Sequence, residues 1–355
     1  MIRPLAFIAF LFTSFATALT AAEPLPKVIR FGEVGGVNVK SVGGKPASAG
    51  LVALGQHLGY FDEEFTKDGI RIEQIFFANT GPAQNEALAQ GEIEFGSYGG
   101  VPNVIGLAGK IPAKIVAARR LTGAGNSYYI GVKPGSGIKT LADLKGKRIA
   151  VQKGTNPYLS LITVLEANGV LEKDITLVNL IGAEALVAFN AGAIDAVFGG
   201  VNLLILRDQG KLEVLTSTRD IKIPGNSSGF LVSDRFAKAH PDLVTRVLKV
   251  LTRTSWWASQ EENREPLLRF ISERSWAYEY IKADYEGSLK IRYNPIIDDS
   301  VVKSYEELVR FGVERKLLRR APDEKTIRGW FDPSFQQAAL KELKLEGYWN
   351  DASGE

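Results

Sequence analysis

The chain of 355 residues contains no cysteine, two histidines and one methionine. Without cysteine it can form neither a disulfide nor a thiolate metal site, and it has no cysteine nucleophile. His57 and His240 are far apart in the sequence and suggest no metal-ligand cluster. A Walker loop and a GxGxxG turn after the first strand are missing as well. We therefore expect neither a metal nor a cofactor.

The sequence also lacks an excess of charge of one sign. Its 43 lysine and arginine residues nearly balance 40 aspartate and glutamate residues, for a net charge of +3. No basic stripe or nucleic-acid-binding motif is visible, so nucleic acid is not an expected partner. The composition is that of an ordinary globular protein, and the length suggests about two domains.

The first 22 residues have the pattern of a secretory signal peptide. Arg3 supplies a positive charge, residues 5–18 are almost entirely apolar, and small residues precede Glu23. The apolar run is shorter than the ~20 residues of a membrane-spanning helix. We expect cleavage after residue 22 and export to the periplasm. Because no cysteine is present to carry a lipid anchor, we expect a freely diffusing protein.

Beyond the signal, short apolar runs alternate with amphipathic stretches, which indicates βα units and mainly parallel sheets. The pattern predicts strands at residues 28–31, 70–76, 94–98, 114–118, 128–132, 148–151, 175–180, 196–198 and 212–216. It predicts helices at residues 82–90, 141–144, 157–167, 184–191 and 202–209, and further helices at 240–259, 261–275 and 300–316. This last group should pack on the outside of one lobe.

An internal echo predicts two similar lobes. The sequence ALAQGEIEF at residues 87–95 resembles AFNAGAIDA at residues 188–196. Both copies indicate the end of a helix, a glycine that stops it, and a strand entered through Ile and an acidic residue. Two crossings between the lobes are predicted at residues 120–127 and 221–227. The alternative is that any two βα units look alike.

Short polar, glycine-rich turns follow several predicted strands, where open α/β sheets bind ligands. In the turn before residue 157, Asn156 is a candidate N-cap, and the free backbone amides there suit an anionic oxygen. An ordinary helix cap without a ligand is the alternative for any one turn. The candidate ligand-binding residues in these turns are Gly35, Gly36, Asn38, Ser97, Tyr98, Gly99, Thr155, Asn156, Gly200, Val201 and Asn202.

Two arginines end the strand before the first predicted crossing. Either Arg119 or Arg120 could balance the charge of an anionic ligand, and Arg119 is our candidate. A surface ion pair is the alternative for both of them.

A serine hydrolase is a weaker hypothesis. Residues 225–229 match the GxSxG pattern of a nucleophile elbow around Ser227. That elbow requires a strand before the serine and a helix after it, whereas residues 230–232 read as a strand. Only His240 would be available downstream as the base.

The sequence resembles the periplasmic substrate-binding proteins of ABC transporters in the nitrate, sulfonate and taurine group. The resemblance runs from about Val28 to Lys325 and is most specific at residues 141–155 and 191–196. It implies a type II periplasmic binding protein fold, with two α/β lobes, two crossover segments and a ligand cleft between them. Residues 27–122 and 225–345 would form lobe 1, and residues 123–224 lobe 2. The resemblance adds Ser228 and Gly229 to the candidate ligand-binding residues.

The implied function is non-catalytic capture of a small anionic solute, for which an aliphatic or aromatic sulfonate similar to taurine is our best interpretation. The implied partners are a membrane permease and its ATPase, and we expect a monomer. Family members often carry Trp-Asp-Pro where this chain has residues 199–201, which would admit a solute larger than taurine. Nitrate, carboxylate or a vitamin-like ligand stays an alternative. A thiamine-pyrimidine-synthase-like enzyme of the same fold is another, although those enzymes depend on cysteine and histidine positions.

Overall fold

The computed structural model describes residues 24–34, 41–42, 45–46, 48–77, 80–120, 127–219, 221, 223, 225 and 227–352. Its strands are β1 Val28–Val34, β2 Ser41–Val42, β3 Lys45–Pro46, β4 Arg71–Phe77, β5 Phe95–Gly99, β6 Ala113–Arg120, β7 Tyr129–Val132, β8 Arg148–Ala150, β9 Thr176–Val178, β10 Ala196–Gly199, β11 Glu213–Ser217 and β12 Ser227–Ser233. The predicted signal peptide lies outside the described residues.

Helices cover most of the remaining described chain. They are α1 Leu51–His57, α2 Tyr60–Phe65, α3 Thr80–Gln90, α4 Gly100–Ala108, α5 Asn156–Ala167, α6 Gly182–Asn190, α7 Asn202–Asp208, α8 Asp234–Ala239, α9 Pro241–Ala258, α10 Arg264–Arg274, α11 Tyr278–Asp284, α12 Leu289–Arg292, α13 Asp299–Glu314, α14 Glu324–Arg328 and α15 Ser334–Leu343. Short 3-10 turns lie at Thr66–Asp68, Leu141–Leu144, Glu172–Asp174 and Glu261–Asn263. None of the helices in the described part of the chain is both long and apolar enough to cross a bilayer.

Two five-stranded sheets form the centre of the molecule. The first has the order β4-β1-β5-β12-β6, and the second the order β11-β7-β10-β8-β9. β12 is antiparallel to both of its neighbours in the first sheet, as β7 is in the second. The chain changes sheet between β6 and β7 and again between β11 and β12. The two-lobed α/β fold with two crossovers is therefore confirmed.

The internal echo reflects a repeated topology. From one edge, the parallel strands of the first sheet follow the order β4-β1-β5, and those of the second sheet follow the order β9-β8-β10. In both sheets the strand that comes second along the chain lies at the edge, the first lies beside it, and the third comes next. The echo spans the passage from α3 into β5 and from α6 into β10, the third strand of each sheet. Gly91 and Gly192 end the two helices at φ angles of 73° and 74°, a left-handed conformation that glycine adopts without a steric penalty.

The acidic residue of each echo makes the same set of contacts with an arginine. In the first lobe the Arg30 guanidinium contacts both carboxylate oxygens of Glu94, at 3.1 and 2.5 Å, and donates to the carbonyl oxygen of Gly91. In the second, Arg148 contacts both oxygens of Asp195, at 3.0 and 2.9 Å, and donates to the carbonyl oxygen of Gly192. Each arginine thus fastens the first strand of its sheet to the turn that leads into the third.

Apolar residues of the strands and facing helices form the cores on both sheets. In the first lobe Ile29, Phe31 and Phe95 are fully buried, and the Phe31 and Phe95 rings stack with centroids 4.9 Å apart. In the second lobe Ile130 and Ile149 are fully buried. These short runs carry apolar residues on both faces because helices cover both sides of each sheet.

The C-terminal helices differ from the prediction that they lie outside one lobe. Helices α9 and α15 pack together, and Ala339 of α15 lies in the apolar core of the first sheet. Helix α11 instead reaches the second lobe, where the Tyr280 hydroxyl donates to Asp208. Arg219 contacts the segment that follows α11, with its Nη1 donating to Glu286 Oε2 at 2.7 Å. The C-terminal region therefore touches both lobes, which hydrophobic periodicity could not indicate.

The contacts of Asp195 generate a stability prediction. Its hydrogen bonds with Arg148 lower the pKa of the Asp195 carboxyl to about 2, from 3.8 in the unfolded chain. We expect Asp195→Asn to lower the free energy of unfolding at pH 7 by about 1–2 kcal/mol, a value discounted for partial exposure. A depressed pKa stabilises the fold above pH 3.8, and this contribution disappears as the pH falls through about 2.

Urea denaturation at pH 7 and pH 2 measures the difference between the two proteins. Glu213→Gln, at an exposed carboxylate of β11, is the control and should change stability little. An Asp195→Asn variant as stable as the parent at pH 7 would contradict this interpretation of the contact.

Candidate functional site

Three of the predicted turns meet where β5 and β12 lie beside the start of α5. The side chain of Asn156 accepts a hydrogen bond from Val101 N at 2.9 Å and donates to Ser227 O at 3.0 Å. A Cβ at Gly99 would stand 2.5 Å from Asn156 Oδ1, so only glycine permits this approach without a shift. Asn156 thus joins the second lobe to both β12 and the start of α4 in the first.

The N-cap of α5 is one residue earlier than predicted. Thr155, not Asn156, caps the helix: its Oγ1 accepts from Tyr158 N at 3.4 Å and donates to Gln152 O at 2.6 Å. The prediction of Asn156 as the cap was wrong because Thr155 is also a good capping residue. The shift leaves the Asn156 amide available to bridge the lobes.

The remaining residues of these turns are buried in the sheet. Tyr98 is 1% exposed, and its hydroxyl donates to Asn85 Oδ1 at 2.5 Å, so its side chain belongs to the core. Ser97 is buried, and Ser228 is buried with its hydroxyl donating to the carbonyl oxygen of Tyr98. A Cβ at Gly229 would stand 2.9 Å from Ile115. Any contact of these turns with a ligand stays a prediction.

The turn at Gly200 faces the crossing into the second lobe. A Cβ at Gly200 would be 3.9 Å from both Asn202 Oδ1 and Ser127 O, which is ordinary van der Waals contact, so a side chain there would meet no clash with these atoms. Val201 is buried and Asn202 begins α7. The predicted residues Gly35, Gly36 and Asn38 lie outside the described part of the chain.

A cavity of about 80 Å³ surrounds the end of β6. A cavity needs about 10–15 Å³ of volume for each water molecule that it holds, so this cavity has room for several small groups. Residues that line it include Gly50, Arg119, Phe230, Tyr285, Arg292 and Tyr293. It lies at the first crossing between the sheets, and its lining comes largely from the C-terminal segment.

Arg119 is exposed in this cavity, and its guanidinium makes no hydrogen bond or ion pair with the residues that the structure describes. The adjacent Arg120 is buried instead. Its Nη2 contacts Asp298 Oδ2 at 2.5 Å, and its Nη1 donates to Ser300 Oγ at 2.9 Å. Of the two arginines, Arg119 therefore has its donors available to an anion.

Aromatic and polar side chains surround the Arg119 guanidinium. Burial raises the pKa of the Tyr128 hydroxyl to about 12, the Asp284 carboxylate adds to the rise, and Arg119 opposes it. Burial also raises the pKa of Tyr293, again against the charge of Arg119. The other cation of the cavity, Arg292, is held over the Tyr285 ring at 3.6 Å.

Asp284 connects these groups to the second lobe. Its Oδ1 accepts from Ser127 N at 3.2 Å, and its Oδ2 is 3.9 Å from Arg292 Nη2. The backbone carbonyl of Asp284 accepts from Arg292 Nη1 at 3.3 Å. Arg292 is thus oriented by Asp284 and Tyr285, whereas Arg119 is not held by a partner among the described residues.

Glu33, near the end of β1, is a buried acidic residue whose carboxyl feels the charge of Arg119. Its carboxylate lies 3.4 and 3.6 Å from where a Cβ at Gly50 would stand, and the residue is 7% exposed. Burial raises the pKa of the Glu33 carboxyl to about 7, and the Arg119 guanidinium offsets part of that rise. A carboxyl that changes charge near neutral pH therefore stands beside the cavity.

Several residues around the cavity were missed by sequence reasoning. Glu33 stands near the carboxyl end of β1, so the rule that ligands bind at such ends could have found it, whereas Tyr128 precedes the first residue of β7. Asp284, Arg292 and Tyr293 follow no strand and carry no motif. Their position depends on how α11 and α12 pack between the lobes, which local sequence does not specify.

The chain matches a known protein family. The family described as NMT1/THI5 like matches residues 46–264, more than half of the chain. The chain belongs to this family. The expected resemblance to nitrate, sulfonate and taurine binding proteins is confirmed by relatives named for sulfonate and taurine binding.

One relative is a Bacillus subtilis protein named for aliphatic sulfonate binding. It is 30% identical over 299 residues, which cover 83% of this chain and 86% of the relative. The Escherichia coli taurine-binding periplasmic protein is 28% identical over 223 residues, 59% of this chain and 67% of that protein. Both relatives are thus binding proteins by name, and the second is named as a periplasmic one.

Solved structures show the same fold. A protein from Methylobacillus flagellatus KT that carries the name periplasmic sulfonate-binding protein SsuA has a TM-score of 0.72 and 30% identity, with 91% of this chain and 96% of that chain covered. The desulfurization enzyme DSZB reaches a TM-score of 0.63 over 89% of this chain and 99% of that chain, at 14% identity. That second likeness concerns the fold alone.

Both histidines of the chain pack against phenylalanine rings. His57 packs on the Phe270 ring with centroids 4.9 Å apart, and His240 packs on Phe236 at 5.3 Å. Ser227 begins the strand β12 and is buried, so residues 225–229 do not form the strand-turn-helix of a nucleophile elbow. The predicted strand after the serine is confirmed.

The pKa of Glu33 predicts that its charge destabilises the fold. Because the folded-state pKa of about 7 exceeds the unfolded value of 4.5, the unfolded chain loses its proton first as the pH rises. Stability should fall between these values and stay lower above them. We expect Glu33→Gln to raise the free energy of unfolding by roughly 2–3 kcal/mol at pH 8 and to leave it nearly unchanged at pH 4.

Urea denaturation at pH 4, 6 and 8 tests this expectation. Glu92→Gln, an exposed acid outside the cavity, should have no pH-dependent effect and serves as the control. A Glu33→Gln variant that is less stable than the parent at pH 8 would show that the carboxylate stabilises the fold.

Proposed function

We propose that this chain is the periplasmic solute-binding component of an ABC importer and that it captures a small sulfonate between its two lobes. The observation that carries the proposal is the Arg119 guanidinium, exposed in a cavity at the end of β6, next to the first crossing, and unpaired with the described residues. Relatives named for sulfonate and taurine binding support the choice of a sulfonate.

The chemistry of Arg119 suits this ligand class. A guanidinium offers several N–H donors in one plane, and these can reach two oxygens of an oxyanion at once. The group keeps its charge throughout the physiological pH range, as a sulfonate does, so capture would not depend on the titration of either. Tyr128 and Tyr293 supply further hydroxyl groups near the Arg119 charge.

The size of the cavity supports a short solute. About 80 Å³ holds a few small groups, and Val201 of the altered turn is buried beside the crossing. We therefore favour a short sulfonate over the longer or aromatic one that the missing Trp-Asp-Pro sequence suggested. The predicted turns would act mainly through their backbone and through the hydrogen bonds of Asn156 with Val101 and Ser227. These turns are Ser97–Gly99, Thr155–Asn156, Gly200–Asn202 and Ser228–Gly229.

Capture would proceed by hinge closure of two lobes. The proposed lobes are residues 27–122 with 225–345, and residues 123–224, as the sequence predicts. Each sheet draws its strands from within one of these sets, which supports the boundaries. The hydrogen bonds of Asn156 with Val101 and Ser227 hold the lobes together near the crossings.

The transport role completes the proposal. The mature monomer would be exported through its signal peptide, and the closed form would deliver its solute to a membrane permease with its ATPase. Capture would involve no chemical reaction. The positions of His57 and His240 against apolar rings, and the lack of cysteine in the sequence, support this part.

Thermal unfolding in the presence of candidate solutes tests the proposal. We expect short sulfonates to raise the melting temperature of the mature protein more than nitrate, carboxylates, phosphonates or vitamins. A ligand at 100 times its Kd stabilises the fold by about 2.7 kcal/mol. Arg119→Gln should weaken sulfonate binding by about a hundredfold, because a charged partner of the ligand is lost.

Arg319→Gln is the matched control, since Arg319 is exposed on the surface and does not line the cavity. It should leave the sulfonate-induced shift intact. Sulfonate binding that survives Arg119→Gln would contradict the proposed site, and a screen in which no small solute shifts the transition would contradict the proposed capture.

A further inference from the structure

Arg315, directly after α13, connects the two lobes away from the cavity. Helix α13 packs against α4 and β12 of the first lobe. Arg315 Nη2 donates to Glu166 Oε2 at 2.6 Å, and Arg315 Nη1 lies 3.7 Å from Glu172 Oε2. Glu166 belongs to α5 and Glu172 to a 3-10 turn, both in the second lobe. One guanidinium thus contacts two carboxylates across the boundary between the lobes.

The second lobe holds the Glu172 carboxylate in position for this contact. Lys153 Nζ is 2.9 Å from Glu172 Oε1, and the Tyr158 hydroxyl donates to Glu172 Oε2 at 2.7 Å. Burial would raise the pKa of the Glu172 carboxyl, but these two hydrogen bonds and the nearby positive charges, that of Arg315 included, hold it below its ordinary value. The Tyr158 ring also packs on Phe311 of α13, with centroids 5.5 Å apart. The carboxylate is therefore ionised and fixed where the end of α13 arrives.

Helix α5 lies along the first lobe over most of its length. Asn156, Leu159 and Glu166 are three and seven residues apart, which places them on one face of the helix. Asn156 bonds to Val101 and Ser227, Leu159 joins the apolar core of the first lobe, and Glu166 meets Arg315. The two polar contacts are separated by ten residues, or about 15 Å along the helix. They hold opposite ends of one seam between the lobes.

The seam leaves polar atoms unpaired while it is shut. Ser160 Oγ, one turn after Asn156, is buried without a hydrogen-bond partner among the described residues, as are Ser227 Oγ and Arg315 Nε. A buried polar group without a partner costs free energy, which contact with water would return. The contacts that shut the seam are thus opposed by the groups that it leaves unpaired. Such a balance suits a joint that opens and closes.

We propose that Arg315 is a positioning residue for solute capture, and that its contacts with Glu166 and Glu172 form a clasp that keeps the lobes closed over the bound solute. Arg315 does not line the cavity at Arg119, so it would act on the population of the closed arrangement. Because the solute leaves only when the lobes open, the clasp would set its dissociation rate. This inference rests on the proposed capture by hinge closure.

Stopped-flow kinetics with propane-1-sulfonate test the clasp. Arg315→Gln should raise the dissociation rate constant about three- to thirtyfold, within the range for the coupling of two residues in contact, and should not lower the association rate constant. Glu166→Gln should also raise the dissociation rate constant. Combining it with Arg315→Gln should add little, because both changes remove the same contact.

Arg246→Gln is the matched control. The Arg246 side chain is 21% exposed, against 20% for Arg315, and it also contacts two carboxylates, those of Glu64 and Asp68. All three of these residues lie in the first lobe. We expect Arg246→Gln to lower the stability of the fold and to leave the release of propane-1-sulfonate unchanged.

The distance between the lobes gives a second measurement that does not need a solute. Because the chain contains no cysteine, Lys67→Cys and Lys211→Cys can carry two spin labels for double electron–electron resonance. Both lysines are exposed, and they precede the edge strands β4 and β11 of the two sheets. Arg315→Gln should shift the label distances of the ligand-free protein to larger values, and Arg246→Gln should not.

A dissociation rate and a label distance that stay unchanged in Arg315→Gln would overturn the clasp and leave sulfonate capture intact. An equal rise of the dissociation rate in Arg246→Gln would also overturn it, since a general loss of stability would then explain the effect. If propane-1-sulfonate does not bind the parent protein, the proposed sulfonate capture fails, and the label distances of the ligand-free proteins still decide whether the clasp exists.

Discussion

Two passages of the chain between the sheets constrain everything else in this structure. β6 ends in the first sheet and β7 begins in the second, and β11 and β12 make the return. Because strand ends of both sheets must face each other at these crossings, polar turns from distant parts of the sequence gather in one region. Arg119, next to the last residue of β6, therefore lies at the first of these crossings.

Two neighbouring arginines show how context decides the role of a charged residue. Arg119 and Arg120 alternate in direction along β6, as successive strand residues do. Arg120 points to Asp298 and Ser300 and fixes the C-terminal segment to the sheet. Arg119 lines the cavity, and it makes no ion pair with the residues that the structure describes. The same residue type thus serves as a structural tie in one position and, in the proposed function, as a binding group in the next.

Local sequence signals predicted most of the fold, because short apolar runs and glycine stops are determined within a few residues. All nine strands predicted up to residue 216 are present, with ends that differ by a few residues. The echo at residues 87–95 and 188–196 was predictive because Gly91 and Gly192 have the same backbone conformation and the acidic residues make the same contacts. The roles of the polar turns could not be predicted in the same way, because they depend on which polar groups are already paired in the folded chain.

The site was less predictable for that reason. Asn156 looked like a cap, but Thr155 takes that position and Asn156 bridges the lobes. Tyr98 looked like a ligand contact, but its ring belongs to the core. Arg292 and Tyr293 reach the cavity through the packing of distant helices, and no spacing in the sequence encodes that contact. Burial and pairing are properties of the folded chain.

The most direct measurement is a crystal structure of the mature protein grown with the sulfonate that it binds most tightly. The account predicts that the sulfonate oxygens lie within hydrogen-bond distance of the Arg119 guanidinium, between the two sheets, with Arg120 still paired to Asp298. A ligand bound elsewhere, or bound at this place with Arg119 turned away from it, would contradict the account.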